Sequence, residues 1–240
     1  MKSLNAKNMD YRSINDVLRK QSDISSITGC LGQRFLAAGM SGLHLTIEGV
    51  PGNALGAYLN GAELTVLGNA QDAVGDTMNE GKIIVHGTIG DAAGYAMRGG
   101  SIFIRDNAGY RSGIHMKAYH DKIPVIVIGK KAGSFLGEYQ AGGIILVLNL
   151  TQDPAPAVGN FPCTGMHGGK LYLRGTCDTI RFPEQVTVQP ASEEDRKTIE
   201  IYVKEYCRLF HFDLEQVMDS PFTVVTPDSK NPYKQMYVSI

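Results

Sequence analysis

The sequence contains no tryptophan, few cysteines and no long apolar run. Four cysteines stand far apart and none forms a C-x-x-C pair: Cys30, Cys163, Cys177 and Cys207. A disulfide framework, or a zinc or iron–sulfur site built from cysteine, is therefore not expected. No apolar stretch approaches 18 residues, and the N-terminus lacks the apolar core of a secretion signal. We therefore expect a cytoplasmic protein that has no membrane partner.

The chain also lacks an excess of charge and any common catalytic motif. Its formal net charge is −1 at pH 7, so nothing favours binding to a phosphate backbone, and no nucleic-acid partner is expected. No G-x-S-x-G, H-E-x-x-H, P-loop or kinase motif occurs. The six histidines are scattered and show no metal-ligand spacing. From motifs alone, we predict no catalytic, cofactor-binding or metal-binding residue on this chain.

A 19-residue repeat is the strongest signal that the sequence does contain. Three clear copies begin at Leu45, Leu64 and Ile83, and a weaker fourth begins at Ile102. Two sets of glycines recur at this spacing: Gly49, Gly68 and Gly87 in one column, and Gly56, Gly75, Gly94 and Gly113 in the other. A short fixed period is typical of a solenoid, in which each repeat stacks on its neighbours.

The repeat length and its strand pattern indicate the type of solenoid. Each copy opens with a short strand pattern, as in Leu45–Ile47, and has no room for a normal helix besides a strand and two turns. The coils of a parallel β-helix, about 4.8 Å apart, satisfy this pattern. A left-handed β-helix is the main alternative, but it repeats aliphatic residues every six positions in coils of 18. We therefore predict an all-β, right-handed parallel β-helix.

Stacked coils place equal positions of the repeat directly above one another. Two apolar columns are predicted to point into the core: Ala54, Ala73 and Ala92, and Leu59, Met78, Met97 and Met116. The glycine columns are predicted to occupy corners where a positive φ or close backbone approach excludes a Cβ.

The pattern also divides the chain. We predict an N-terminal cap over residues 1–40, about seven coils over 41–190, and a C-terminal helix and tail over 191–240. Loops are expected at 117–123 and 149–158. Ser192 followed by three acids predicts a helix start, and the helix is expected to reach about Phe210 and to cover the last coil or its side.

Two polar columns are candidates for binding. Asp72 and Asp91 share a column with Asn53, and at about 5 Å their repulsion would be roughly 3 kcal/mol at an effective dielectric near 20. The carboxylates could splay into water, accept hydrogen bonds from backbone N–H groups or Arg111, or bind a cation. The second column becomes more basic along the chain and is either a solvated face or an interface, with Arg111 and His115 nearby: Asn60, Asn79, Arg98 and Lys117.

Several glycine-rich runs occur in a fixed order: Gly68-Asn69-Ala-Gln-Asp72-x2-Gly75, Gly90-Asp91-x2-Gly94-x2-Met97-Arg98-Gly99-Gly100, Pro124-Val-Ile-Val-Ile128-Gly129 and Gly165-Met-His-Gly168-Gly169. Together they resemble the GXGXG domain of the glutamate synthase large subunit. A stand-alone chain of this kind looks like the split, archaeal-type arrangement. The tail, Phe222 to Pro227 and Pro232-Tyr233-Lys234, also looks like the end of that subunit.

The resemblance implies a non-catalytic scaffold for the glutaminase and FMN-binding synthase subunits of an ammonia-assimilating enzyme. The catalytic cysteine, the FMN site and the iron–sulfur ligands of that family belong to other domains, so no site residue or cofactor is carried over. The related β-helix subunit of formylmethanofuran dehydrogenase and a carbohydrate-active β-helix enzyme stay open as alternatives. A homo-oligomer also stays open.

Overall fold

One sheet of eleven strands forms the centre of the molecule in the computed structural model, which describes residues 2–151 and 155–229. Its first nine strands are parallel and pair in chain order: β1 (Lys2–Asn5), β2 (Ile24–Leu31), β3 (His44–Val50), β4 (Asn60–Val66), β5 (Glu80–Val85), β6 (Ser101–Ile104), β7 (Val125–Ile128), β8 (Ala141–Val147) and β9 (Gly168–Arg174). The chain forms a β-solenoid of about eight turns, which confirms the predicted fold class.

The strand register reproduces the sequence repeat. Leu45 pairs with Leu64, Leu64 with Ile83, and Ile83 with Ile102. Each coil therefore returns the chain to the neighbouring parallel strand of the same sheet. About 98% of crossover connections between parallel strands of one sheet are right-handed.

The N-terminal residues do more than cover the first coil. Strands β1 and β2 lie within residues 1–40 and extend the parallel sheet, with helix α1 (Tyr11–Lys20) between them. Asn15 of α1 is only 4% exposed. Its Nδ2 donates to Phe35 O at 2.8 Å, and its Oδ1 accepts from Ala37 N at 2.9 Å. In the next coil the equivalent amide, Gly56 N, donates to the preceding coil instead, so Asn15 substitutes for a coil that is not there.

The interior of the solenoid confirms one predicted apolar column and corrects the other. Leu59, Met78, Met97 and Met116 are all fully buried. In the alanine column, Ala54 is buried as predicted, but Ala73 and Ala92 are only half-buried, and the residues that follow them, Val74 and Ala93, form the core. Ala73 and Ala92 have φ of +56° and +55°, and this left-handed corner turns the side chain outward.

The same column therefore admits large side chains in later coils. Arg111 and Phe135 occupy it there, and the Arg111 guanidinium lies 4.9 Å from the centre of the Phe135 ring. Alanine in the early copies is therefore not required by close packing in the core.

Helix α2 (Glu193–Phe210) covers the side of the solenoid. It begins as predicted at Ser192, whose side chain forms a capping box with Asp195. Its buried face packs on the outer surface of the sheet through two sets of side chains: Ile199, Val203, Tyr206 and Phe210 from the helix, and Ile84, Phe103, Val127, Leu146 and Tyr172 from strands β5 to β9. This cover explains why the early strands alternate apolar residues with threonine, whereas the later strands are apolar on both faces.

Polar contacts attach α2 at both ends of this surface. Lys82 of β5 pairs with Glu205 at 2.5 Å, and Lys170 of β9 pairs with Asp195 at 2.7 Å. Burial opposes ionisation of Asp195, but hydrogen bonds from Lys170, Ser192 and Tyr172 outweigh it and hold the pKa of this carboxyl far below its usual value.

The parallel order ends after β9. Strand β11 (Phe222–Pro227) is antiparallel both to β9 and to β10 (Val186–Pro190), and the short helix α3 (Leu214–Met218) precedes it. The expected tail thus begins as a strand. Asp153 and Pro154 of the second predicted loop, and Pro232, Tyr233 and Lys234 of the tail, lie outside the described residues.

Candidate functional site

One side of each coil is built from left-handed residues at alternate positions. In the second copy of the repeat, φ is +56° at Ala73, +69° at Gly75 and +51° at Thr77. Ala73 N and Thr77 N donate to the following coil, and Gly75 N donates to Leu55 O of the preceding coil at 2.9 Å. We call the surface formed by these positions in successive coils the left-handed face. Its backbone hydrogen bonds run in both directions and connect each of these coils to the coil before it and the coil after it.

The predicted corner glycines differ in what they require. Four have φ between +64° and +72°, namely Gly56, Gly75, Gly94 and Gly113. Gly49 combines φ of +109° with a close approach, since a Cβ there would lie 2.1 Å from Cys30 O. A Cβ on Gly87 would lie 2.3 Å from Asn69 Oδ1, whereas one on Gly68 would meet nothing closer than 3.7 Å. Gly68 thus has neither a positive φ nor a close backbone approach that would exclude a Cβ.

The acidic column is explained by hydrogen bonds between coils. Asp72 Oδ1 accepts from Asp91 N at 2.9 Å, and Asp91 Oδ1 accepts from Tyr110 N at 2.8 Å. Of the alternatives for these carboxylates, the structure thus selects backbone N–H donors. Arg111 is not their partner, because it pairs with Glu138 at 3.2 Å. Within residues 2–151 and 155–229, no group of three potential ligands could hold a metal ion.

The predicted polar strip forms one wall of a groove. Asn60, Asn79 and Arg98 line it, and loop 117–123 forms the opposite wall. We call this feature the loop groove; its volume is about 500 Å³, and its remaining lining residues are Gly39, Tyr58, Tyr119, His120, Asp121 and Lys122. Lys117, the fourth member of the strip, is exposed and does not line the groove.

The other two predicted interface residues lie on the left-handed face among aromatic rings. His115 stacks on Tyr139 with ring centres 5.2 Å apart, and its edge contacts Tyr95 at 6.0 Å. Phe135, beneath Arg111, stacks on Phe161 at 5.3 Å. The repeat does not reveal this aromatic group, because insertions displace Phe135, Tyr139 and Phe161 from the 19-residue register.

Burial shields two cysteines and one histidine among the potentially reactive side chains. Burial raises the pKa of the Cys163 thiol far above its usual value, and the pKa of Cys30 to about 11. Both cysteines are therefore thiols at neutral pH, and a thiol is a poor nucleophile. His86, which the repeat places at a tolerant position, lies half-buried with its ring centre 5.1 Å from that of Phe210. Burial, together with the charges of Arg105 and His211, lowers the pKa of His86.

One buried polar side chain interrupts the methionine column. Gln140 is fully buried, and its Nε2 donates to Gly142 O at 3.2 Å and to Gly143 O at 3.1 Å. Its Oε1 has no hydrogen-bond partner among the described residues. The donated bonds hold the glycine corner that opens β8, so the contacts of Gln140 are structural.

The model of the GXGXG motif family matches residues 5–228. The chain belongs to the GXGXG motif family. This family is of the glutamate synthase type, so the resemblance carried by the glycine-rich runs is confirmed. An uncharacterized protein of Methanocaldococcus jannaschii is 44% identical to this chain over an alignment of 248 residues. The alignment covers 98% of this chain and 95% of that protein.

The match to the GXGXG family extends beyond the repeat. It begins at the end of β1 and includes α1, α2 and β11. The family unit is therefore the solenoid together with its covering helix and terminal strands. No helix in the described part of the chain has both the length and the apolar composition that crossing a membrane requires.

Proposed function

We propose that this GXGXG chain is a non-catalytic structural subunit of a glutamate synthase, which scaffolds the glutaminase and FMN-binding synthase subunits. Membership of the GXGXG family supports a glutamate synthase-related role. In this proposal FMN and the iron–sulfur clusters reside on the partners, and the solenoid sets the position of one catalytic subunit relative to the other.

A concentration of exposed rings is the observation that carries the proposal. Six aromatic side chains in the coils are between 41% and 62% exposed: Phe35, Tyr58, Tyr95, Tyr110, Tyr119 and Phe161. Tyrosine, phenylalanine and arginine are enriched at protein interfaces, whereas contiguous exposed apolar surface is rare on proteins that act alone. The side of the molecule that carries these rings also carries Arg98, Arg111 and Lys117.

The rigidity of the solenoid fits a scaffold. From β2 onward, backbone hydrogen bonds join successive coils both in the sheet and along the left-handed face. A partner bound at one coil is therefore held at a fixed distance from a partner bound at another coil. The raised pKa of Cys30 also fits a structural role, because this buried thiol is not poised as a nucleophile.

Co-purification tests the proposal directly. The tagged chain is co-expressed with the glutaminase and FMN-binding synthase proteins of its own organism and is then captured. We expect both proteins to co-elute and the complex to form glutamate from glutamine and 2-oxoglutarate, while the tagged chain alone forms none. Failure of both proteins to co-elute would contradict the scaffold role, and glutamate formation by the isolated, flavin-free chain would contradict the non-catalytic role.

A further inference from the structure

We propose that the loop groove is the docking site for an acidic segment of the partner, with carboxylates that repeat about once per coil. This inference deepens the proposed function, because it names the surface and the chemistry by which the chain recognises a catalytic subunit.

The strip contains hydrogen-bond donors that the molecule itself does not use. Among the described residues, the side chains of Asn60, Asn79, Arg98 and Lys117 take part in no hydrogen bond, ion pair or ring contact. Arg98 and Lys117 are exposed, whereas Asn79 is half-buried at the base of the groove. Guanidinium, ammonium and amide groups all donate to carboxylates, and the charged donors form the stronger bonds.

The donors are arranged as a ladder. Asn79 N donates to Leu59 O, Arg98 N to Met78 O and Lys117 N to Met97 O, at 2.8, 2.8 and 3.0 Å. The four strip residues therefore occupy the same position in successive coils, about 4.8 Å apart. An α-helix rises about 5.4 Å per turn, so acidic side chains on successive turns of a partner helix would meet successive rungs.

The opposite wall adds apolar contact and one further cation. Tyr58 and Tyr119 expose more than half of their surface beside the ladder. Lys122 Nζ binds Glu80 Oε2 at 2.6 Å and thereby ties the loop to the start of β5. Since that pair is internally neutral, Arg98 offsets Asp121 within the groove, and Lys117, on the next coil beside the groove, adds one positive charge. The charge thus favours an acidic occupant.

A peptide titration tests the groove without the natural partner. The probe is a helical peptide with glutamate at every fourth position, and its matched control carries glutamine at those positions. The side-chain amide signals of Asn60 and Asn79 are followed by NMR in the full-length chain. We expect the acidic peptide to shift both signals, the glutamine peptide to shift neither, and added salt to weaken the effect.

Variants identify the groups responsible. Arg98→Gln removes one charge-assisted hydrogen bond and should weaken the acidic peptide about tenfold. Lys197→Gln removes a charge exposed on α2 and should leave the affinity unchanged. Equal affinity in parent and Arg98→Gln, or no shift of either amide signal, would overturn the proposal. So would free glutarate binding as tightly as the peptide, since the groove would then be a small-molecule site.

The natural assembly gives a separate result. In the co-purification described above, the double variant Arg98→Glu, Lys117→Glu should capture the synthase protein more slowly than the parent, with folding intact by circular dichroism. Capture at the parental rate would remove the strip from the interface. If the parent captures no synthase protein but the peptide result holds, the scaffold assignment fails and the docking groove stands.

Discussion

Replacing Asn15 tests how the open end of the solenoid is closed. In Asn15→Leu the side chain keeps a similar volume but loses both hydrogen bonds, to Phe35 O at 2.8 Å and from Ala37 N at 2.9 Å. Ala37 is fully buried, so its N–H is left without an acceptor. A buried unsatisfied group costs about 1–3 kcal/mol, and the lost bond to Phe35, which is partly exposed, adds less. We expect the free energy of unfolding of the first coils to fall by about 1–3 kcal/mol.

Hydrogen exchange is the decisive assay, because each coil of a solenoid contacts only its neighbours and the loss is therefore local. The exchange of the Ala37 amide should accelerate by about tenfold or more, while amides in β7 and β8 keep their protection. Asn15→Asp retains the acceptor for Ala37 N but sets a buried carboxylate oxygen against Phe35 O, so at neutral pH it should destabilise the first coils at least as much. Unchanged exchange at Ala37 in Asn15→Leu would refute the idea that this side chain replaces a coil.

Two further predictions concern a glycine corner and a histidine. Gly49→Ala should lower the melting temperature by more than Gly61→Ala does. Both glycines have a positive φ, +109° at Gly49 and +105° at Gly61, but only at Gly49 would the new Cβ collide with a neighbour, 2.1 Å from Cys30 O. Equal shifts in melting temperature would contradict this prediction. Burial lowers the pKa of His86 below 6.5, so the unfolded chain gains the proton first as pH falls, and stability should decrease below about pH 6.5 as the pH approaches the folded pKa. Because His86→Gln removes this titration, denaturation midpoints of the variant should depend less on pH over that range; an identical pH dependence would contradict the assignment.

The coil register could be predicted because residues 19 apart in the sequence are paired on neighbouring strands. Leu45, Leu64 and Ile83 mark both. The direction of a side chain within the coil could not be predicted in the same way. Ala73 and Ala92 are apolar and periodic, yet a left-handed backbone turns them outward, and alanine is not a residue whose presence normally signals a positive φ.

The interface candidates could be predicted only in part, because they depend on loops. The ladder of Asn60, Asn79 and Arg98 follows from the repeat, but its opposite wall comes from loop 117–123, which has no counterpart in the other copies. The role of Asn15 was equally hidden, since an asparagine within a short amphipathic segment carries no sign of the coil that it replaces.

The length of helix α2 matches the number of coils that it covers. Its two ion pairs reach Lys82 on β5 and Lys170 on β9, four strand spacings or about 19 Å apart. The helical partners, Glu205 and Asp195, are ten residues or about 15 Å apart along the helix axis, and the long lysine side chains span the difference. A deletion of one complete coil between β5 and β9 would make the helix fit poorly, whereas a coil added before β5 would leave these contacts unchanged. The ion pairs of α2 therefore fix the number of coils between β5 and β9 and place no constraint on the number of coils before β5.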